Sequence, residues 1–126
     1  MDIVKTVKIT TDNQISVMEL PSWSLKDRAQ AIGADCIEIV RTQRMYDFFE
    51  DMVVMIVDDS GLKENRTVNL VASFFYGVDQ HGGVIAGDIL LGVQRGSDVL
   101  PPDYAEELLQ LLLLRFPMLQ VVTDFI

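Results

Sequence analysis

Alternating hydrophobic and polar residues at the two ends of the chain predict strands. Residues 3–9 and 15–20 both alternate, and the turn-forming pair Asp12 and Asn13 lies between them, which is typical of a β-hairpin. Residues 119–126 alternate well enough to form a final strand that returns to the sheet.

Three apolar runs in the middle of the chain predict further strands. Residues 52–57 form a continuous apolar run, as in a strand buried on both faces. Residues 36–41 are rich in β-branched side chains but include Glu38, which indicates a strand with one buried face. The run from Val84 to Val93 contains internal glycines, which favour a bulge or a close backbone approach.

Three segments between these runs carry helix signals. Ser24 can cap a short helix that ends near Gly33, and Asn65 can cap a second one that continues to about Tyr76. Residues 104–115 follow two prolines and begin with acidic residues, so we expect the longest helix there.

The predicted order of elements is β-β-α-β-β-α-β-α-β. This order predicts an α+β fold, with a mixed, mainly antiparallel sheet of about five to six strands packed by two to three helices. The 126 residues have the length of one ordinary domain, so we expect a single domain over residues 1–126.

Composition predicts a folded protein of a reducing compartment. Hydrophobic residues make up 49% of the chain and charged residues 23%, an ordinary globular balance. Cys36 is the only cysteine, which excludes an intrachain disulfide and favours a cytoplasmic setting. The sequence shows neither a signal-peptide pattern nor an apolar run long enough to cross a bilayer, so no membrane association is expected.

The net charge of −9 belongs to the second part of the chain. From Asp47 onward there are thirteen acidic and four basic residues, whereas the preceding part carries six of each. Direct binding to nucleic acid or to anionic lipid needs clustered Lys and Arg, so both are disfavoured. The expected partner is a protein with a basic surface.

One short segment combines acidic and aromatic side chains and is the predicted partner-binding site. Aromatic residues beside acids suit an interface with an apolar core and a charged rim. The alternative interpretation is a solvated surface that favours solubility. The predicted site consists of Tyr46, Asp47, Phe48, Phe49, Glu50 and Asp51.

The helix from Leu108 to Leu114 carries leucine nearly all round. Such a helix fits between the sheet and the final segment, or it presents one face to a second copy of the chain. Both interpretations, a helix buried in the domain and a homodimer contact, are open at this stage.

No residue pattern predicts catalysis, a metal or a cofactor. His81 is the only histidine and lies beside two glycines, which suits an exposed loop better than a catalytic triad. Gly82 and Gly87 have the spacing of a phosphate-binding loop, but Asp88 stands where the lysine would be. The segment from Asp58 to Gly61 lacks the order of ligands that a calcium-binding loop needs. Its residue types instead predict a turn.

The block from Met55 to Val93 resembles a small, uncharacterised domain-of-unknown-function family of phages, plasmids and their bacterial hosts. In that family a strand ends in an acidic residue and a glycine turn, an asparagine precedes a helix, and a glycine-containing strand follows. Residues 36–40 resemble an earlier strand containing Glu38, so the resemblance covers about residues 35–93. The residues that fit the order are Asp58, Gly61, Asn69, Ala72, Ile85 and Gly87.

The resemblance implies a fold and an origin, and it carries over no catalytic residue. Small acidic proteins of phages and mobile elements often inhibit host defence enzymes. The leading hypothesis is therefore a non-enzymatic protein that inhibits a host defence nuclease, of the anti-CRISPR or anti-restriction type. The alternative is a small regulatory or ligand-binding module with a pocket along the Val84 to Val93 strand. A hydrolase using clustered acids is a third, weaker possibility.

Overall fold

A computed structural model describes residues 3 to 122, apart from the side chain of His81. The strands are β1 (Val4–Ile9), β2 (Gln14–Leu20), β3 (Ile37–Val40), β4 (Val53–Asp58), β5 (Ile89–Arg95), β6 (Asp98–Leu100) and β7 (Gln120–Val121). The helices are α1 (Leu25–Ala31), α2 (Gln43–Phe49), α3 (Leu70–Tyr76), α4 (Val78–His81) and α5 (Ala105–Arg115).

The strands form one sheet in the order β3-β4-β5-β1-β2-β7, with β6 paired to the end of β5. All pairs are antiparallel except β2 with β7, which run parallel. The predicted α+β fold with a mixed, mainly antiparallel sheet is therefore confirmed. None of the described helices is long and apolar enough to cross a membrane.

Helices cover both faces of the sheet, unequally. Helices α2, α3 and α5 pack on one face over a large core that includes Met55, Phe75 and Leu112. Helix α1 covers the other face over a smaller cluster around Ile56 and Leu90. Strand β4 contributes to both clusters and is buried along its whole length, as its continuous apolar run predicted.

Polar side chains cap three of the helices. The Ser24 hydroxyl accepts a hydrogen bond from the Asp27 amide at 3.1 Å, so the predicted cap of α1 is confirmed. The Asn69 side chain, which is fully buried, accepts from the Ala72 amide and donates to the carbonyls of Ile9 and Gly87. It therefore caps α3 and ties that helix to two strand ends at once.

Two predicted boundaries were wrong. The cap of α3 is Asn69, because Asn65 has a φ of +55° and lies in the turn before it. Strand β5 begins at Ile89 and not at Val84, because Ser73 exchanges hydrogen bonds with the backbone of Ile85. These bonds hold the start of the apolar run against α3, away from the sheet ladder.

The structure also adds elements that the pattern did not predict. They are α2 between β3 and β4, the single turn α4, and the short strand β6. The final strand pairs with β2 at Gln120 and Val121, in the predicted place, and the remainder of that prediction, residues 123–126, lies outside the described residues.

Candidate functional site

The six predicted partner-binding residues lie on α2 and in the turn that leads to β4. The helix forms because Thr42 caps it: its hydroxyl accepts from the Met45 amide at 3.2 Å and donates to the Phe75 carbonyl at 2.8 Å. Met45 and Phe49 lie on the inner face and are buried. The predicted site is thus on a helix attached firmly to α3 and the sheet.

Phe49 belongs to the core and the partly buried Phe48 packs against it, so these two rings are used within the chain. Phe49 is only 8% exposed. The ring of Phe48 lies 4.7 Å from that of Phe49 and 5.3 Å from that of Phe75, centroid to centroid. Aromatic pairs at these distances are typical of a packed interior.

Asp51 has a structural partner within the chain. Its two carboxylate oxygens each accept a hydrogen bond from the Arg95 guanidinium at 2.9 Å, and the Tyr104 hydroxyl donates to one of them. These bonds, Arg95 first, hold the pKa of the Asp51 carboxyl well below its usual range. Burial, together with the bond to Asp51, raises the pKa of Tyr104 to about 12. Asp51 therefore joins the α2–β4 turn to β5 and α5.

Tyr46, Asp47 and Glu50 remain available to a partner. Tyr46 is 47% exposed, and Asp47 is exposed with one hydrogen bond, from the Gln43 amide at 2.9 Å. Glu50 is exposed, and its carboxylate has no hydrogen-bond or ion-pair partner within residues 3–122. Half of the predicted site is thus on the surface, and it is the half that carries two of the three acids.

A groove lies beside these residues. It has a volume of about 360 Å³, and Tyr46 forms part of its wall together with Met52, which is 43% exposed. Arg41 closes one side, with its Nε atom donating to the Gln94 side chain at 2.9 Å. The other lining residues are Thr42, Gln43, Val53 and Val54. We call the groove together with Tyr46, Asp47, Glu50 and Met52 the α2 surface.

Sequence reasoning missed three exposed acids around the start of α5, the segment that the fold joins to Asp51. Asp103, Glu106 and Glu107 are exposed at the start of α5. The bond between Tyr104 and Asp51 fixes the start of α5 next to the turn that contains Glu50. In the sequence these acids fit the positive end of a helix dipole, and nothing in their spacing indicates that Tyr104 between them bonds to Asp51.

The surface available to the alternative site, a pocket along Val84 to Val93, is confined to residues 84–88. Residues 89–93 are buried within the sheet. Val84, Ile85 and Ala86 reach a cleft of about 230 Å³, which Glu38 and Tyr76 also line. Gly87 and Asp88 line a second cleft, of about 620 Å³, on the side of Arg66 and Thr67. In the part of the chain that the structure describes, no group of three or more His, Cys, Asp or Glu side chains could hold a metal ion.

The leucine-rich helix α5 packs most of its inner leucine side chains against the rest of the chain. Leu108, Leu109 and Leu112 are buried, whereas Leu111 is 41% exposed and Leu114 is 83% exposed. A surface for a second copy is thus restricted to the outer side of α5.

Comparison of the chain with protein-family models, with curated proteins and with solved structures finds no match. The family resemblance around residues 35–93 therefore stays a prediction.

Proposed function

We propose that this chain is a non-enzymatic binding protein, and that its α2 surface docks on a basic surface of a protein partner. The observation that carries the proposal is Glu50. This carboxylate is exposed and has no partner within residues 3–122. Glu50 lies one helical turn after Tyr46, whose exposed ring lines the groove.

Glu50 is unfavourable for the fold in two ways. It ends α2 in the left-handed conformation, with φ +56° and ψ +33°, where glycine is preferred. It also puts a negative charge at the negative end of the helix dipole. Residues that conflict with local stability are concentrated at functional sites. The conflict therefore favours a role for Glu50 in binding.

The surrounding charges favour a basic partner. Asp103, Glu106 and Glu107 are exposed carboxylates on either side of Tyr104, which is bonded to Asp51. Among the described cations, Arg95 is paired with Asp51 and Arg44 with Asp79, whereas Arg41 lines the groove and donates to the Gln94 side chain. The chain as a whole carries a net charge of −9. An acidic surface of this kind attracts a basic partner over a Debye length, about 8 Å at physiological salt, and speeds association.

The apolar part of the α2 surface supplies contact area. Tyr46 and Met52 both line the groove and are both exposed. Tyrosine at the edge of a pocket is a common centre of binding energy in interfaces, with acidic residues around it as a rim.

We further propose that the partner is a host defence nuclease and that this chain inhibits it in the bacterial cytoplasm. The protein would then be of the anti-CRISPR or anti-restriction type. The support for this proposal is the resemblance to a family of phages and plasmids and the acidity of the second part of the chain. Nucleases carry basic surfaces because they bind phosphate backbones, so they suit an acidic docking surface.

Affinity capture from a bacterial lysate, followed by nuclease-inhibition assays with the captured proteins, tests this proposal. The wild-type chain is compared with Asp47→Lys/Glu50→Lys, which reverses the two exposed acids and leaves Asp51 in place. We expect the double variant to lose the captured partner and the inhibition.

The matched control reverses two acids of the β1–β2 hairpin, in Asp12→Lys/Glu19→Lys. It changes the net charge equally but lies across β4 and β5 from α2. A partner that binds both double variants as well as wild type would show that the α2 surface is not the docking site.

A further inference from the structure

We propose that the free edge of β3 is a second binding surface, which takes up an extended segment of a partner protein as an added strand. The segment that fits has an apolar–basic–apolar pattern. This inference rests on β3, its clefts and its backbone, and does not depend on the α2 surface.

The backbone of β3 offers unpaired hydrogen-bonding groups. Within residues 3–122, β3 is the last strand of the sheet and pairs only with β4. The Asp59 amide donates to the Cys36 carbonyl at 3.1 Å, so Cys36 and Asp59 form a hydrogen-bonded pair. Hydrogen-bonded and non-hydrogen-bonded pairs alternate along an antiparallel ladder. Cys36, Glu38 and Val40 therefore point their backbone groups toward β4, whereas Ile37 and Ile39 point theirs outward.

These outward groups have no backbone partner among the described residues. Two residues of this kind give two N–H donors and two carbonyl acceptors, spaced as a neighbouring strand would need them. Strand addition of an extended peptide uses such groups for affinity and alternate side-chain pockets for specificity.

Clefts lie on both faces of this edge. On the α1 face, a groove of about 470 Å³ between α1 and β3 is lined in part by Leu25, Ala29, Ala34 and Ile37. Leu25 is 67% exposed at its rim. An added strand directs the residues opposite Ile37 and Ile39 to this face, so these two residues should be apolar.

The opposite face selects a basic residue. Glu38 is exposed at the centre of β3 and borders the second cleft with Asp59. Neither carboxylate has a side-chain partner in the described part of the chain, and Lys63 is the one cation that lines the cleft there. The residue across from Glu38 lies close to its carboxylate, where an opposite charge is favourable and a like charge is not.

Glu38 also disfavours a second copy of this chain as the added strand. Two copies of β3 paired antiparallel about their centres would place Glu38 opposite Glu38. Like charges in this position destabilise a strand pair, and edge strands commonly carry a charge that prevents self-association. A basic partner segment turns this repulsion into attraction.

The test selects peptides from a randomised library of extended sequences on the immobilised full chain. We expect enrichment of the apolar–basic–apolar pattern. The selected peptide should then protect the Ile37 and Ile39 amides from hydrogen exchange, with little change at Glu38, whose amide faces β4. Absence of enrichment, a different pattern, or no protection of these two amides would overturn the proposal.

Two matched pairs of variants separate recognition from folding. Ile39→Pro removes the outward N–H and the side-chain packing, and Ile39→Ala removes only the packing, so we expect peptide binding to be about tenfold weaker in Ile39→Pro. Glu38→Lys should weaken binding of the basic peptide about tenfold, with Glu38→Gln intermediate. Equal binding within either pair contradicts strand addition. Because Tyr46, Asp47 and Glu50 lie off this edge, the Asp47→Lys/Glu50→Lys variant should bind the peptide normally.

Discussion

Glu50 and Asp51 are adjacent acids with opposite roles in the structure. Asp51 is bound on both oxygens by Arg95 and also accepts from Tyr104, whereas Glu50 is unpaired within residues 3–122. From the sequence alone, both residues were predicted to bind a partner. The difference arises from β5 and α5, which contribute Arg95 and Tyr104 from distant parts of the chain.

Replacing Glu50 by glycine should separate stability from binding. We expect Glu50→Gly to raise the free energy of unfolding by about 0.5 to 1 kcal/mol, because glycine adopts the left-handed conformation without steric cost. The same variant should bind the partner of the α2 surface more weakly. Urea unfolding and a binding titration measure the two effects.

Glu50→Gln is the matched control, since it keeps the left-handed side chain and removes only the charge. It should change stability by a few tenths of a kcal/mol and weaken binding as Glu50→Gly does. If Glu50→Gly proves less stable than the wild type, the backbone at this position is not strained.

Asp51→Asn should lower the melting temperature by a few degrees at neutral pH. The folded-state pKa of Asp51 is lowered, so its stabilising effect is complete above the unfolded-state value, about 3.9. The effect must decline as the pH falls below that value toward the folded-state pKa. Thermal unfolding of both proteins over a pH series measures the difference.

Asp47→Asn is the control for this series, because Asp47 is exposed and bonded only to Gln43 in the described structure. It should leave the melting temperature almost unchanged at every pH. A constant difference between wild type and Asp51→Asn down to the most acidic conditions would contradict the assignment.

At the scale of elements, the sequence predicted best where the local signals agreed. The β1–β2 hairpin, the Ser24 cap and the buried β4 follow directly from periodicity and turn chemistry. The start of β5 could not be predicted, because Ser73 and Asn69 on α3 capture residues 85–87 through long-range hydrogen bonds. Helix α2 was not predicted, since its seven residues pack through Phe48 and Phe49, which pattern reasoning assigned to the surface.

Helix α5 is the predicted contact surface of a homodimer. Of its leucines, Leu111 and Leu114 remain exposed, with Met118 exposed shortly after the helix. Stable dimers bury about 800 Å² on each partner, so a patch of this size should give only weak association. We expect sedimentation equilibrium to detect dimers at high concentration, and Leu114→Lys to abolish them.

Leu62→Lys serves as the control for this experiment, since Leu62 is 61% exposed in the turn region after β4, away from α5 in sequence. It should leave the association unchanged. A wild-type protein that remains monomeric at the highest accessible concentration would eliminate the homodimer.

At the scale of the whole molecule, the fold rearranges the charge that the sequence displays. A count along the chain locates the net charge of −9 after Asp47 but cannot say which acids share a surface. Folding pairs Asp51, Asp58, Asp79 and Asp88 with basic side chains. It also joins the start of α5 to the α2–β4 turn. Which acids remain free on the surface is therefore decided by tertiary structure.

The molecule presents two candidate surfaces with different modes of recognition. The α2 surface offers a groove with an aromatic wall and an acidic rim, whereas the β3 edge offers backbone groups between two clefts. Both favour basic partners, yet they use different residues. The Asp47→Lys/Glu50→Lys and Glu38→Lys variants therefore distinguish them.

The most direct test of the central claim is the affinity of the captured partner for three proteins, measured by titration over a range of salt concentrations. The wild type is compared with Tyr46→Ala/Asp47→Lys/Glu50→Lys and with the hairpin control Asp12→Lys/Glu19→Lys. We expect the triple variant to lose at least about thirtyfold in affinity and most of the salt dependence, while the control stays near wild type. Equal affinities for the triple variant and the wild type would contradict docking through the α2 surface.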